Sequence, residues 1–236
     1  MKIVAIDFAG TILEQEAIDR ANEKRAAVIN RAAPQKEEHS DAEKLYLNNR
    51  EALSRLTGLV DKMSIQSTLQ DGALMTKSGK EVLDEMSTNL FQIYMYQEAF
   101  EKKDAIFKKG MIDVLQKIRD RGYHLALFSG IRTDIISGML KIAGVSVFDS
   151  INGQPPMLGL HNQELLNDIA TLGEITYIIG DKLDDLDYPE GIKIFVDWGQ
   201  GKEAEADHKV GSPEELLDMI EDLDDHEEIE DGTLPS

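Results

Sequence analysis

Three apolar segments of this 236-residue chain each end at residues that can do chemistry. The first and third segments lead into carboxylates, and the second leads into a hydroxyl and a glycine. In chain order, these residues are Asp7 and Thr11, then Ser129 and Gly130, then Asp181 and Asp185. In open α/β sheets, ligands bind at the carboxyl ends of the strands. If the segments are parallel strands of one sheet, these residues meet at one edge of it.

Such a set of residues suits phosphate transfer. Carboxylates alone repel a phosphate dianion, so a hard cation is required, and Mg²⁺ prefers a site made of oxygen ligands. We predict that Asp7 and Asp181 hold Mg²⁺ and that Asp7 attacks phosphorus to form an aspartyl-phosphate. Ser129, Thr11 and the backbone N–H of Gly130 would donate hydrogen bonds to the phosphoryl oxygens. The expected partner is therefore a small phosphorylated molecule.

The apolar segments have the pattern of buried strands. Residues 2–7 are largely β-branched and apolar on both faces, which is typical of a central parallel strand. Similar runs at 125–128, 175–179 and 192–196 alternate with helical patterns, and this alternation indicates βαβ units. We therefore expect an α/β fold class, a Rossmann-like three-layer core with a mainly parallel sheet. Trp198, just beyond the last run, is interpreted as a packing residue at the end of a strand.

A long helical region interrupts the strands after the first one. From about residue 14 to residue 108 no strand pattern occurs, and the sequence has helical periodicity instead. One of its helices opens with a capping box at Ser40. We predict an α/β catalytic core from residues 1–13 and 109–220, with an all-helical cap at 14–108 inserted after the first strand. The acidic residues 221–236 are expected to form a frayed tail.

Charge and composition narrow the class of partner. A formal net charge of −20 disfavours nucleic acid and anionic membranes, because affinity for phosphate polymers needs a positive field. The chain has no cysteine, which excludes disulfides and thiolate metal sites. No apolar run approaches the roughly 18 residues of a membrane span. We therefore expect a cytoplasmic protein with no nucleic-acid or membrane partner, and the sequence does not predict its oligomeric state.

Three motifs, in this order, resemble those of the haloacid dehalogenase (HAD) superfamily. Its first motif, Asp-x-Asp-x-Thr, corresponds to Asp7-Phe8-Ala9-Gly10-Thr11. Its second, a Ser or Thr after an apolar strand, corresponds to Ser129, and its fourth, Gly-Asp-x-x-x-Asp, corresponds to residues 180–185. The inserted helical region also lies where many members carry a cap that closes over the substrate. The resemblance covers the core from end to end.

The resemblance implies a Mg²⁺-dependent phosphatase of the HAD type with Asp7 as its nucleophile. Mg²⁺ would be held by Asp7, the backbone carbonyl of Ala9 and Asp181. Asp185 would be a further ligand or would lie behind one.

Two positions depart from the superfamily pattern. Its phosphatases have a second Asp two residues after the nucleophile, which acts as general acid and base, and here that residue is Ala9. Loss of such a group typically costs about 10²–10⁴ in rate, so we predict a long-lived phosphoenzyme. The third motif is a lysine that offsets negative charge, and Gln154 stands where we expect it. Lys141 and Lys182 are candidates to supply the missing charge.

Three functions remain open at this point. The first is a slow phosphatase or phosphotransferase that acts on a small phosphorylated metabolite. The second is a C–P hydrolase, because Asp-x-Ala-Gly-Thr is similar to the motif of phosphonoacetaldehyde hydrolases, in which a cap lysine forms a Schiff base. The third is a catalytically impaired pseudoenzyme that binds metal or phosphate. The cap lysines available for a Schiff base are Lys24, Lys36, Lys44, Lys62, Lys77 and Lys80.

Overall fold

The strands of the chain join into one parallel sheet. The computed structural model describes residues 1–32, 79–154, 162–198 and 205–231. Over these residues the strands are β1 Lys2–Asp7, β2 His124–Arg132, β3 Ser150–Gln154, β4 Glu174–Gly180, β5 Ile192–Val196 and β6 His208–Val210. They pair in the order β3-β2-β1-β4-β5-β6, and every neighbouring pair is parallel. The predicted α/β fold class is confirmed.

Helices connect most of the strands. They are α1 Gln15–Ala32, α2 Gly79–Lys102, α3 Met111–Asp120, α4 Thr133–Ala143, α5 Asn162–Ala170, α6 Leu183–Leu186 and α7 Pro213–Asp231. A short 3-10 turn at Lys103–Ile106 follows α2. Within the described residues, no helix is both long enough and apolar enough to cross a lipid bilayer. The helix predicted to open at Ser40 lies outside the described residues.

β1 lies at the centre of the sheet. Its residue Ile6 pairs with Leu127 of β2 on one side and with Ile179 of β4 on the other. Residues 3–6 are fully buried, as expected of a parallel strand that is covered on both faces. Because β1 has a neighbour on each side, its last residue, Asp7, lies in the middle of the carboxyl edge of the sheet.

Helices cover both faces of the sheet, which makes the core three layers thick. On one face the packed residues include Ile3, Ala5, Phe128, Leu165, Leu166 and Ile169, the last three from α5. Ile178 of β4 belongs to the same cluster. Its neighbour Tyr177 points to the other face, since side chains alternate along a strand, and its hydroxyl donates to Asp224 of α7. Helices α3 and α7 pack against each other on that face.

Helix α7 follows a Ser-x-x-Glu capping pattern formed by Ser212 and Glu215. The backbone N–H of Glu215 donates to Oγ of Ser212 at 3.1 Å. The buried side chains of Leu216 and Ile220 fix the first turns on the core. The helix continues through residues 221–231, because extending a nucleated helix costs little, and the expected fraying of residues 221–236 stays a prediction. Strand β6 was not predicted, since three residues are too few to show a period of two.

The chain divides into two compact units. One consists of Met1–Ile18 with Glu98–Ser236 and contains the sheet, and the other consists of Asp19–Gln97. In the second unit the described residues are helical, and the guanidinium of Arg25 lies 5.8 Å from the centroid of the Phe91 ring. Residues 33–78 lie outside the described residues, so the cap predicted at 14–108 stays a prediction.

Candidate active site

The loop after β1 folds tightly around one carbonyl group. The backbone N–H groups of Ile12 and Leu13 both donate to the carbonyl of Phe8, each at 3.1 Å. Gly10 has a φ of +93°, in the left-handed region that glycine adopts without strain. A Cβ atom at Gly10 would lie 2.5 Å from Oδ2 of Asp181. The loop backbone is therefore pressed against the carboxylate that follows β4, and only glycine permits this approach.

Three carboxylates meet at the centre of the carboxyl edge. Asp7 ends β1, Asp181 follows β4, and Asp185 lies on α6. One oxygen atom from each residue lies within 4.8 Å of the others. The residues are 4%, 7% and 3% exposed respectively. The structure thus brings together the three acidic residues predicted for the site, and we refer to Asp7, Asp181 and Asp185 as the acid cluster.

Thr11 lies among these carboxylates. Its hydroxyl is 3.4 Å from Oδ2 of Asp7 and 3.5 Å from Oδ1 of Asp181, and the residue is fully buried. A hydroxyl has one hydrogen, so it donates to one carboxylate at a time, and both distances are long for an O–H···O bond. Thr11 is therefore loosely bound to two acidic groups, and its predicted bond to a phosphoryl oxygen stays a prediction.

Asp185 is held in place by the protein. Asn162, the first residue of α5, donates from Nδ2 to its Oδ1 at 2.6 Å. The backbone N–H of Lys182 donates to its Oδ2 at 3.1 Å. A Cβ at Gly180 would lie 2.5 Å from Cβ of Asp185, so α6 packs directly on the end of β4. Because both of its oxygens already accept hydrogen bonds, Asp185 is oriented before any ligand binds.

Burial and mutual repulsion shift the pKa values in the acid cluster. Burial raises the pKa of Asp7 well above its ordinary value, and the charges of Asp185 and Asp181 raise it further. Burial also raises the pKa of Asp185 to about 6, although the charge of Lys182 acts in the opposite direction. Burial lowers the pKa of Lys182, but the surrounding carboxylates outweigh this effect, so that its pKa is raised overall. The cluster therefore holds like charges close together with one lysine nearby.

The two candidate replacements for the third-motif lysine have different surroundings. Lys182 interacts electrostatically with all three residues of the acid cluster. Lys141 lies on α4, beside a groove lined by Leu140 and Phe148. Gln154 ends β3, and its Nε2 would lie 3.7 Å from a Cβ placed on Gly130. A neutral amide therefore lies beside the second motif, whereas a cation lies beside the acid cluster.

Ser129 and Gly130 lie on the strand next to the nucleophile candidate. Phe128 is the register partner of Asp7, and Ser129 follows it, fully buried. The Oγ of Ser129 accepts a hydrogen bond from the backbone N–H of Ile131 at 3.2 Å. Gly130 is exposed. Their predicted contacts with phosphate stay predictions, and this placement is compatible with them.

Two contacts of the site were missed by reasoning from the sequence. Asn162 was not considered, although an Asn at the start of a helix is a familiar polar position. Trp198 was interpreted as packing only, yet its indole Nε1–H donates to the carbonyl of Gly10 at 2.7 Å. No sequence signal identifies this bond, because it joins residues far apart along the chain.

The donor set of the acid cluster fits a magnesium ion. Buried carboxylates that repel one another are stabilised by a cation, and hard divalent cations prefer oxygen ligands. Asp7 and Asp181 would hold Mg²⁺, with Asp185 close enough to share in its binding. The backbone carbonyl of Ala9 belongs to the same loop as Gly10 and stays a predicted ligand.

One of the six cap lysines named for a Schiff base lies among the described side chains. Lys24 is half-buried on α1. The other five lie outside the described side chains. The Schiff-base alternative therefore stays a prediction.

Comparisons with known proteins agree on one family. The pattern of haloacid dehalogenase-like hydrolases matches residues 1–188, whereas no curated protein sequence matches the chain. A structure from Bacillus subtilis, described as a HAD-hydrolase bound to magnesium, is 14% identical over 93% of this chain and 98% of that one, with a TM-score of 0.57. A HAD phosphatase from Thermococcus onnurineus is 17% identical over 93% and 98%, with a TM-score of 0.56.

A third structure, a haloacid dehalogenase-like hydrolase from Streptococcus pneumoniae, is 19% identical over 92% of this chain and 97% of that one, with a TM-score of 0.57. At such identities, likeness between structures shows the fold alone. The family pattern covers most of the sequence and includes all three motifs. The chain therefore belongs to the haloacid dehalogenase-like hydrolase family.

Proposed function

We propose that this hydrolase is a Mg²⁺-dependent phosphohydrolase or phosphotransferase that forms an aspartyl-phosphate on Asp7. The observation that carries the proposal is the acid cluster, in which three buried carboxylates lie within 4.8 Å of one another. Three buried carboxylates at this distance repel one another and destabilise the fold. The same arrangement is what a cation-dependent phosphate site needs. The descriptions of the structural relatives as a phosphatase and as a magnesium-bound hydrolase support the same class.

The bound cation would reverse the negative field of the cluster and polarise a phosphoryl oxygen. Asp7, Asp181 and Asp185 would hold it, together with the carbonyl of Ala9. Lys182 would add a positive charge beside the phosphoryl group, and the amide of Gln154 would offer a neutral donor where the superfamily has a lysine. This division of charge is our explanation for how the site works without the third-motif lysine.

The reaction would proceed in two displacements. A carboxylate oxygen of Asp7 forms a bond to phosphorus while the bond from phosphorus to the leaving oxygen breaks, and the electron pair departs with that oxygen. Water then attacks phosphorus, the bond to Asp7 breaks, and inorganic phosphate is released. Ala9 can neither protonate the leaving group nor deprotonate water, so solvent must do both. We therefore expect substrates with good leaving groups and slow hydrolysis of the phosphoenzyme.

The test is intact-mass measurement after incubation with acetyl phosphate and Mg²⁺. We expect a phosphorylated species in the wild type and none in Asp7→Asn or in a sample treated with a chelator. Asp187→Asn is the matched control, because Asp187 is an exposed carboxylate just beyond α6. An adduct that persists in Asp7→Asn would refute Asp7 as the nucleophile.

Intact-mass measurement with other reagents also separates the alternative functions. Phosphonoacetaldehyde with borohydride would leave a reduced adduct on a lysine if the protein is a C–P hydrolase. Absence of any adduct, with no turnover on a broad panel of phosphate esters, would overturn the enzyme proposal. The protein would then be a binding protein of the same family.

A further inference from the structure

We propose that Trp198 is a positioning residue for the loop that carries the nucleophile, here called the nucleophile loop (residues 8–13). It acts through its hydrogen bond to the carbonyl of Gly10, and Lys108 ties it to the segment that returns from the insertion. The consequence for metal binding rests on the proposed function. The placement of the loop does not, so the two can fail separately.

The indole of Trp198 forms a hydrogen bond to the nucleophile loop. Its Nε1–H donates to the carbonyl oxygen of Gly10 at 2.7 Å, across 188 positions of sequence. The residue has a φ of +47°, in the left-handed region that a bulky side chain rarely adopts. An unfavourable backbone conformation persists where surrounding contacts hold it. Here the backbone of Trp198 adopts this conformation while its indole N–H donates to the nucleophile loop.

Gly10, which accepts the hydrogen bond from Trp198, also lies against the acid cluster. Its φ of +93° brings its Cα so close to Asp181 that an added Cβ would lie 2.5 Å from Oδ2. The peptide group before Gly10 includes the carbonyl of Ala9, a predicted ligand of the cation. A shift of Gly10 would therefore move this backbone oxygen together with the part of the loop that packs against Asp181. One hydrogen bond from Trp198 restrains both.

Lys108 contacts the ring of the indole, whereas Gly10 accepts a hydrogen bond from the N–H at the edge of that ring. Its ammonium nitrogen lies 5.2 Å from the centroid of the Trp198 ring, within the range of a cation–π contact. The same nitrogen lies 3.5 Å from Oε2 of Glu14. The backbone N–H of Lys108 donates to the carbonyl of Ile12 at 2.8 Å. Lys108 is therefore bonded to the nucleophile loop by its backbone and to Trp198 by its side chain.

The two segments that lead into and out of the insertion are themselves paired. Leu13 and Phe107 form an antiparallel bridge, and the backbone N–H of Glu14 donates to the carbonyl of Ile106 at 2.8 Å. Trp198 lies where this pair of segments meets the nucleophile loop, and it contacts both through Lys108 and Gly10. It is also the only tryptophan in the chain, so intrinsic emission reports on this position alone.

Hydrogen exchange of the metal-free protein tests the placement of the loop. Trp198→Phe removes the donor but keeps a ring for Lys108. We expect the amides of Ile12 and Leu13 to exchange about five- to tenfold faster in this variant, with no change in α7. Lys109→Met is the control, since Lys109 is an exposed lysine next to Lys108. Unchanged exchange in the loop, or faster exchange throughout the protein, would overturn the proposal.

Mg²⁺ titration by calorimetry tests the consequence for the site. We expect Trp198→Phe to weaken Mg²⁺ binding about three- to tenfold when both proteins are titrated well below the melting temperature of the metal-free form. Lys108→Met keeps the indole N–H, so it should weaken binding less and should shift the emission of Trp198. Equal Mg²⁺ affinity in wild type and Trp198→Phe would refute the positioning role. If wild type binds Mg²⁺ but forms no phosphoenzyme, the proposed function fails and this inference is still decided by exchange and affinity.

Discussion

Two groups of side chains around acidic residues in this molecule are built on opposite principles. In the acid cluster, carboxylates are crowded against carboxylates, and burial with mutual repulsion raises the pKa of Asp7. Near the amino end of β2, one carboxylate, Asp224 of α7, is surrounded by donors. The hydroxyls of Tyr123 and Tyr177 both donate to its Oδ1. We call this second group the tyrosine network.

The tyrosine network is satisfied by the protein alone. Besides the two hydroxyls, Nη1 of Arg121 lies 3.9 Å from the other oxygen of Asp224. The rings of Tyr123 and Tyr177 pack with their centroids 5.7 Å apart. A carboxylate with this many partners holds α7 to the sheet. In the acid cluster, by contrast, the carboxylates also face one another, and burial with mutual repulsion raises the pKa of Asp7. This difference is in keeping with a structural role for the tyrosine network and with the metal-binding role proposed for the acid cluster.

Replacing Asp7, the proposed nucleophile, should separate the roles of the two groups most strongly. We expect Asp7→Asn to reduce phosphoenzyme formation by about 10³-fold or more. The metal-free variant should also melt at a higher temperature, because a charge that repels two neighbours is removed, and about 1 kcal/mol corresponds to roughly 2–4 °C at this size. Calorimetry in chelator measures the second effect. A lower melting temperature would contradict a cluster of mutual repulsion.

Adding a carboxylate should sharpen the contrast. Ala9→Asp supplies the missing general acid and base, so we expect the phosphoenzyme to hydrolyse about 10²–10⁴ times faster. A fourth acidic group at this edge should at the same time lower the melting temperature of the metal-free protein. Rapid-quench decay of the phosphoenzyme and calorimetry measure the two effects. Decay at the wild-type rate would show that Ala9 is not what slows the second step.

Disrupting the tyrosine network should lower the stability of the protein and leave phosphoenzyme formation unchanged. Asp224→Ala removes the carboxylate that accepts from both tyrosine hydroxyls, so we expect a loss of about 2–3 kcal/mol in the free energy of unfolding. Phosphoenzyme formation below the melting temperature should be unchanged. Asp225→Ala is the matched control, because Asp225 is the next residue of α7 and is exposed. A large effect on phosphorylation would contradict the division of roles.

The smallest expected effect is a dependence of stability on alkaline pH. Burial, and then the hydrogen bond to Asp224, raise the pKa of Tyr123 above its ordinary value of 10.0. The neutral form is thus favoured in the folded state, so this stability is complete below pH 10.0 and declines above it as the unfolded chain loses the proton. Urea unfolding between about pH 9 and pH 11 should show a steeper decline in wild type than in Tyr123→Phe. Parallel curves would refute this reasoning.

Much of the fold followed from local patterns. Residues 2–7 are recognisable as a central strand because both faces are apolar, and Ser212 is recognisable as a cap because its spacing to Glu215 is fixed by helix geometry. The position of Asp7 beside Asp181 then follows from the rule that parallel strands end at one edge. These inferences needed only periodicity and topology.

The remainder depends on contacts that leave no pattern in the sequence. Asn162 reaches Asp185 across 23 positions, and Trp198 reaches Gly10 across 188. Both bonds depend on the angles at which loops leave the sheet, which neither propensity nor periodicity encodes.

The central place of β1 has a consequence for synthesis. β1 is synthesised before both of its partners, β2 and β4, and its residue Ile3 pairs with Ile175 of β4. At about 5–20 residues per second, the ribosome needs roughly 10–30 s to reach the second of these partners. During that time the apolar strand β1 lacks one of its two partner strands. We therefore expect β1 to be covered by other parts of the nascent chain, or to be bound by chaperones, until β4 has been synthesised.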